Sequence, residues 1–343
     1  MPYAIPYRTS YYHRNWGFCL AHRDLSRFDR KEKYRVRIDS EIKPGALTFG
    51  EDRIEGSSNS EFLISTYCCH PSLANDNLSG QVLWALLLRE LKRWRTFHSY
   101  RFFIGPETIG AITYLSRNEK ALKQVSGGLI PTTVAGPGRF GYKKTFKGDS
   151  LIDRAVLQTF RERGIRHDIY PFDVYGRDER QYSSQYFRIP VGTICKGKYG
   201  EYASYHTSRD DLKFIRPGYL IETLRLYLEC IHKLETDRVY RSLHTKGEPM
   251  LGKRGLYPTT GGHVKQKAFD AGRRHAKKQY NIAPGAPIYG SDLDALRWLI
   301  FLCDGSKTIL DIAESTGIPA RSLYNAAEKL LSSKLLERIG DKR

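Results

Sequence analysis

The stretch best equipped for chemistry is Cys69-His70-Pro71-Ser72-Leu73-Ala74-Asn75-Asp76-Asn77-Leu78-Ser79-Gly80. It follows an apolar run over 62–67 that reads as a strand, and it opens an amphipathic segment over 78–94 that reads as a helix. His70 and Asp76 therefore sit on a strand-to-helix loop, the edge of an open α/β sheet where ligands gather. Imidazole and carboxylate are ligand types that zinc favours. Three more segments add to the set. Glu107, in Gly105-Pro106-Glu107-Thr108-Ile109-Gly110, falls just after a strand and at the head of a helix. Asp178 and Glu179 lie in the loop Tyr175-Gly176-Arg177-Asp178-Glu179-Arg180, and His206 lies in Tyr205-His206-Thr207-Ser208, shortly before a long core helix. A zinc hydrolase needs His and carboxylate ligands, an open position for water and a nearby carboxylate as base, and this chain supplies all three.

Each residue also has a plainer use. His70 before Pro71 suits a buried, hydrogen-bonded histidine. Asn75, Asp76 and Asn77 suit a helix cap. Glu107 gains from a helix dipole without catalysis, and Asp178 with Glu179 suits a solvated pair beside Arg177 and Arg180. Cys68 and Cys69 read as packing residues. Glu201, Asp210 and Asp211 flank His206 and read as supporting or surface groups, Glu201 being the one most worth testing. What favours chemistry is their joint appearance, every one at a loop edge.

The elements that must position these residues alternate. Strands at 62–67, 101–104, 129–134 and 191–195 are interleaved with helices at 78–94, 108–116, 151–161 and 220–234, which predicts an α/β domain with a mostly parallel sheet and helices on both faces. Residues 1–57 read as a β-rich piece, with 34–38 alternating in strand fashion and turns at Pro44-Gly45 and Gly50. The α/β domain is expected over 58–246. Residues 247–290, rich in Gly, Pro and Lys, read as a basic linker with a short helix near 268–280. Residues 291–343 read as three helices and a strand, a winged helix-turn-helix.

With 56 Lys and Arg against 37 Asp and Glu, the net charge is +19 over 343 residues. Residues 236–280 hold 11 basic against three acidic residues, a surplus of eight. Such a surface suits nucleic acid or an acidic partner, or is simply solvated. Six cysteines without Cys-x-x-Cys spacing, no apolar run near 20 residues and no secretory leader point to a cytoplasmic protein without a membrane span.

The order His70, Asp76-Asn77-Leu78-Ser79-Gly80, Glu107, Asp178-Glu179, His206 resembles zinc aminopeptidases of the phosphorylase/hydrolase-like fold. It is more closely similar to a bacterial group of aminopeptidase-like proteins with a C-terminal winged helix. Pro6-Tyr7-Arg8-Thr9-Ser10-Tyr11-Tyr12 and Trp16-Gly17-Phe18-Cys19-Leu20 share in the likeness, which spans almost the whole chain. The resemblance implies a metal-dependent hydrolase cleaving an amide bond in a peptide or amino-acyl amide. Asp76 would bridge two zinc ions or hold one, His70, Asp178 and His206 would be ligands, and Glu107 would be the general base. Glu179 is an alternative ligand to Asp178, and Glu179 or Glu201 would meet the substrate's amine. Two departures stand out. The acid that follows the base in two-zinc relatives is here Thr108, which leaves one ion or two open, and the chain begins inside the β-rich part where relatives carry an additional segment. The alternative reading is a non-catalytic hydrolase-like scaffold. It would bind a protein or DNA through its basic surface and winged helix, where Arg321, Lys329, Lys334 and Asn325 are joined by Arg273, Arg274, Lys277 and Lys278 of the linker. Self-association to a homo-oligomer fits either reading.

Overall fold

The apolar run at 62–67 forms the strand Glu61–Cys68, buried from Glu61 to Tyr67. That burial on both faces is what an unbroken apolar run predicts. In the computed structural model, which describes residues 1–10, 13–257 and 292–339, the chain divides into two compact units. One is Met1–Ser150 with His167–Tyr227, and the other is Leu151–Arg166 with Leu228–Arg343.

The first unit is built on a seven-stranded sheet in the order β1-β3-β2-β4-β7-β5-β6. Its strands are β1 (Gly50–Ile54), β2 (Glu61–Cys68), β3 (Ser99–Pro106), β4 (Val125–Pro131), β5 (Phe140–Lys143), β6 (His167–Tyr170) and β7 (Val191–Lys196). β3, β2, β4 and β7 run parallel, β5 and β6 are parallel to each other, and β1 and β5 join their neighbours antiparallel. The sheet is therefore mixed but mostly parallel, as the alternation of elements predicts.

Alternate strand residues face opposite ways. Leu63, Tyr67, Phe103, Ile130 and Val191 pack into one cluster with Ala111, Tyr114 and Leu115 of α2 (Ile109–Arg117). On the other face α1 (Ser79–Leu91) buries Leu83 and Leu87 and lays the Trp84 ring 5.5 Å from Phe102, with Trp84 Nε1 donating to Ile64 O at 3.1 Å. Two short helices follow the same chain, α3 (Glu119–Leu122) and α5 (Glu179–Tyr182). The segment 34–38 forms no strand: Tyr34, Val36 and Ile38 are exposed, and without a partner edge their alternation has nothing to pair with. Of the N-terminal piece, only Gly50–Ile54 pairs as a strand in the sheet, while His22–Arg27 is a 3-10 turn.

The second unit holds α4 (Leu151–Glu162), the latter half of α6 (Pro217–Thr236) and the winged helix. Its three-stranded antiparallel sheet runs β10 (Leu336–Ile339), β8 (Val239–Ser242), β9 (Asp304–Thr308). The helices are α7 (Asp292–Leu302), α8 (Ile309–Thr316) and α9 (Ala320–Ser332). A Thr308–Asp311 capping box starts α8, and Gly317 in the left-handed region ends it. The linker helix expected at 268–280, with its basic residues, lies outside the described residues.

Gly80 shows how tightly α1 is seated. A Cβ there would stand 2.2 Å from Asn77 Oδ1 and 2.5 Å from Pro131 O. Gly80→Ala is expected to lower stability by about 1–3 kcal/mol in thermal unfolding. Gly218→Ala, where a Cβ meets nothing within 4 Å, should leave the transition in place or raise it.

Candidate active site

The loop after β2 is held by its own asparagines and serine. Asn77 Nδ2 donates to Thr66 Oγ1 at 2.9 Å, Ser79 Oγ donates to Asn75 O at 2.8 Å, and Asn75 Oδ1 accepts from Ala135 N at 3.0 Å. None of Asn75, Asp76 and Asn77 caps α1, so the helix-cap reading gives way to one in which they sew the loop to β2 and to the chain after β4. Asp76 is thereby presented, wholly buried, at the edge where β2, β3 and β7 end.

The Asp76 carboxylate gathers the site. Its Oδ1 accepts from Tyr67 OH at 3.0 Å; its Oδ2 has Arg177 Nη2 at 3.0 Å, His206 Nε2 at 3.3 Å and His70 Nδ1 at 3.8 Å. Burial pushes its pKa up, but His206, Arg177, His70 and Tyr67 outweigh burial and hold it at about 2. His70 is pushed the other way, below the usual histidine range, chiefly by burial. Ligating atoms of His70, Asp76 and His206 all lie within 4.8 Å of one another. His70 Nδ1, Asp76 Oδ2 and His206 Nε2 are each buried without an aligned hydrogen bond. Buried polar atoms are ordinarily paired, so two imidazole nitrogens without a hydrogen bond facing one carboxylate oxygen fit a cation between them, and two imidazoles with a carboxylate form a donor set suited to zinc.

Two further groups fix this cluster. Asp210 is buried and takes the backbone N–H of Asn75 at 2.5 Å and of Asp76 at 3.1 Å, with Tyr202 OH donating to it at 3.0 Å. The chain start lies along the His206 segment: Tyr7 N donates to His206 O at 2.7 Å and Ser208 N to Ile5 O at 2.8 Å. That places the Tyr7 ring edge-on to both His70 (4.7 Å) and His206 (5.5 Å). On its other side His206 stacks on Tyr205 at 3.9 Å.

Glu107 follows β3. Its Oε1 pairs with Arg177 Nη1 at 3.0 Å, and with Cys69 and His70 it forms a second group of ligating atoms within 4.8 Å. Thr108 has φ +64 and ψ −67, and Ile109 N donates back to Glu107 O at 2.7 Å. This is a γ-turn of the rare, strained hand. Asp178 has no atom in the group formed by His70, Asp76 and His206; its Oδ1 accepts the Thr108 N–H at 2.7 Å and supports that turn, while its Oδ2 is buried without a partner. Glu179 is fully buried and pairs with Lys143 Nζ at 2.8 Å, while Glu201 is exposed and pairs with Lys198 at 2.8 Å. Lys143 also donates to Tyr175 O at 2.5 Å and Asp173 Oδ1 at 2.9 Å, tying down the loop. Gly176, at φ +148, leaves no room for a Cβ against Glu179, Lys143 and Tyr199.

Arg177, Asp210, Tyr7, Tyr67 and Lys143 are contributors that motif spacing did not single out for these roles. Arg177 read as the surface partner of its neighbouring acids; a cation between acids next to a glycine was the available signal. Asp210 read as a supporting or surface group, and support is what it gives.

In the second unit the winged helix presents α9 to α4. Ala320 N donates to Glu162 Oε1 at 2.6 Å, and Lys233 Nζ pairs with Glu162 Oε2 at 2.8 Å. Arg154 pairs with Asp311 at 2.9 Å, and Asp237 Oδ1 accepts from Leu310 N at 2.9 Å. The N-terminus of the third helix thus already has its anion. Arg321, Asn325 and Lys334 are exposed, and Lys329 pairs with Asp292.

Burial, opposed by the Thr108 hydrogen bond and reinforced by Glu107 and Glu179, pushes the Asp178 carboxyl from 3.8 up to about 7. A carboxyl that binds its proton more tightly folded than unfolded stabilises the fold below the unfolded value. That contribution is lost as pH rises through the folded value. Asp178→Asn keeps the acceptor for Thr108 and removes the titration. Its stability in denaturant titrations should gain on that of wild type by an amount on the order of a few kcal/mol between pH 4 and 7; a constant difference across that window would count against the shift.

Residues 4–237 match the family described as a domain of unknown function (DUF4910), and residues 238–273 and 280–338 match a winged helix-turn-helix family. A protein of Clostridium acetobutylicum, described as a candidate polysaccharide biosynthesis protein with an aminopeptidase-like domain, is 39% identical over 337 residues, 98% of this chain and 71% of that protein. The crystal structure of a candidate peptidase from Clostridium acetobutylicum superposes with a TM-score of 0.85 at 36% identity, over 98% of this chain and 71% of that one. The zinc aminopeptidase of Bacillus subtilis is far more distant, with a TM-score of 0.46 at 17% identity over 54% of this chain and 49% of its own, and no residue role is taken from it. The chain belongs to the DUF4910 family, with an aminopeptidase-like domain followed by a winged helix-turn-helix.

Proposed function

We propose that the chain is a zinc-dependent hydrolase of aminopeptidase type that cleaves an amide bond in a peptide or amino-acyl amide. The observation that carries this reading is that His70 Nδ1 and His206 Nε2, both buried without a hydrogen bond, face the same Asp76 oxygen beside Glu107. His70, Asp76 and His206 would hold the ion. Bound there, zinc supplies Lewis acidity, polarising the scissile carbonyl and lowering the pKa of water toward neutrality. Glu107, next to His70 at the mouth of β3, takes the proton of the attacking water and returns it to the leaving amine. Tyr7 packs edge-on against both imidazoles, and Tyr205 stacks on that of His206. Tyr67 and Asp210 keep Asp76 aimed at the same point, so the ligands need little rearrangement on loading. Glu179 pairs with Lys143 through Oε1, while its buried Oε2 has no partner and is the oxygen that would meet a substrate amine. Six free cysteines suit a reducing, cytoplasmic setting, and no helix among the described residues is long and apolar enough to cross a membrane.

Elemental analysis of purified wild type beside Asp76→Asn tests this reading. Wild type should retain zinc and hydrolyse aminoacyl amides, and the variant should lose both, with kcat/KM down at least about a hundredfold. A wild type that binds no zinc when supplied with it would remove the enzymatic reading and leave a scaffold that binds a partner.

For the winged helix, the Glu162 carboxylate at the start of α9 favours a packing role over base reading. Any duplex DNA binding should then come from charge alone: steep in salt, indifferent to sequence and unmoved by Asn325→Ala in fluorescence anisotropy. A sequence preference that this variant abolishes would restore the DNA-reading role.

A further inference from the structure

We infer that Arg177 is a resident cation that stands in for a second metal ion: it balances Asp76 and Glu107, limits the site to a single zinc and positions Glu107 beside it. This rests on the zinc reading above and extends it to the number of ions and to what sets that number.

One guanidinium spans the two acids, with Nη2 3.0 Å from Asp76 Oδ2 and Nη1 3.0 Å from Glu107 Oε1. A planar fork suits this bridging as an ammonium does not. The side chain has no freedom to swing out. It is 5% exposed, its guanidinium carbon lies 5.1 Å from the Tyr67 ring centre, 4.7 Å from Tyr199 and 5.8 Å from Tyr205, and Nη2 donates to Tyr205 OH at 3.3 Å. The charges then limit what else can enter. Asp76 and Glu107 carry −2, Arg177 returns +1, and one divalent ion brings the group to +1. A second ion would leave three uncompensated positive charges in a poorly screened pocket.

The donors agree. The residue after Glu107 is Thr108, with no carboxylate to offer, and its backbone N–H is spent on Asp178. Glu179 Oε1 pairs with Lys143, and among the described residues neither Glu179 nor Asp178 has an oxygen in the groups of ligating atoms gathered at His70. The remaining set, Cys69 with His70 and Glu107, would need Glu107 released from Arg177 and His70 shared with the first ion. Arg177 is therefore a positioning residue: it fixes Glu107 against the ligand cluster without touching the reacting atoms.

The test uses the full chain, stripped with a chelator, reloaded with zinc alone and read by calorimetric titration and elemental analysis after gel filtration. Wild type should hold one zinc per chain. Arg177→Met, which removes the charge and keeps the stem, should bind zinc at least about tenfold more tightly, because Asp76 no longer shares its oxygen with a cation; Arg177→Lys should stay near wild type. Thr108→Asp supplies the missing acid on a residue type that tolerates positive φ, and with Arg177 present it should still hold one. Two ions in wild type or in Thr108→Asp would overturn the inference while leaving the zinc reading intact, as would folded Arg177→Met with unchanged or weaker affinity. If Arg177→Met fails to fold, the stoichiometries of wild type and Thr108→Asp decide. No zinc in wild type or any variant would overturn the zinc reading and this inference with it.

Discussion

One buried negative charge organises the sheet edge. The Asp76 carboxylate has no exposure to water, and an unpaired charge so placed would cost several kcal/mol. The fold answers from four directions. Tyr67 comes from the last turnings of β2, Arg177 from the loop after β6, and His206 from the chain after β7, while Asp210 grips the backbone on which Asp76 stands. Take away any of these and the others are left facing a charge they cannot satisfy alone. The same crowding that secures Asp76 also leaves one of its oxygens facing two imidazoles. The chain's first residues are part of this arrangement, because His206 sits at φ +52 with its carbonyl bound by Tyr7.

The loop 173–179 carries a second, quieter constraint. Two of its three acids, Asp178 and Glu179, turn inward for different reasons. Asp178 steadies the strained Thr108 turn that aims Glu107, and Glu179 meets Lys143, itself almost wholly buried in β5. Buried ion pairs are weak sources of net stability but effective at fixing one arrangement over others. Here the arrangement fixed is that of Arg177, which directly precedes the two and is carried to Asp76 and Glu107 by the loop. The placement of Glu107 at the end of β3 thus depends on this loop.

Much of this was legible in the sequence, and the part that was not has a common cause. Strand β2 and helix α1 were readable because burial imposes their apolar period, and the strand-to-helix loop with His70 and Asp76 followed from them. β9, Asp304-Gly305-Ser306-Lys307-Thr308, was not readable: it has no apolar residue and is a strand only because β8 pairs with it. The segment 34–38 is the converse, strand-like in period but with no edge to join. In the site, His70, Asp76 and His206 meet as types and order suggested. Asp178 and Arg177 exchange the parts that charge alone assigns them, the acid serving the backbone and the base serving the acids. Sequence shows which groups are charged; only the path of the loop decides which of them face each other.

The winged helix follows the same logic of an end that needs a charge. A helix N-terminus exposes unpaired N–H groups, and in DNA-reading modules phosphates and base edges meet that end. In α9 the carboxylate of Glu162 is there already, and Lys233 holds the other oxygen of that carboxylate, so the pair is closed without an outside partner. Arg154 does the same for α8 through Asp311. Arg154 and Glu162 of α4 are therefore contacts within its own unit. The starts of both helices thus meet charged groups of their own unit. The side left open to a partner is the one carrying Arg321, Asn325 and Lys334.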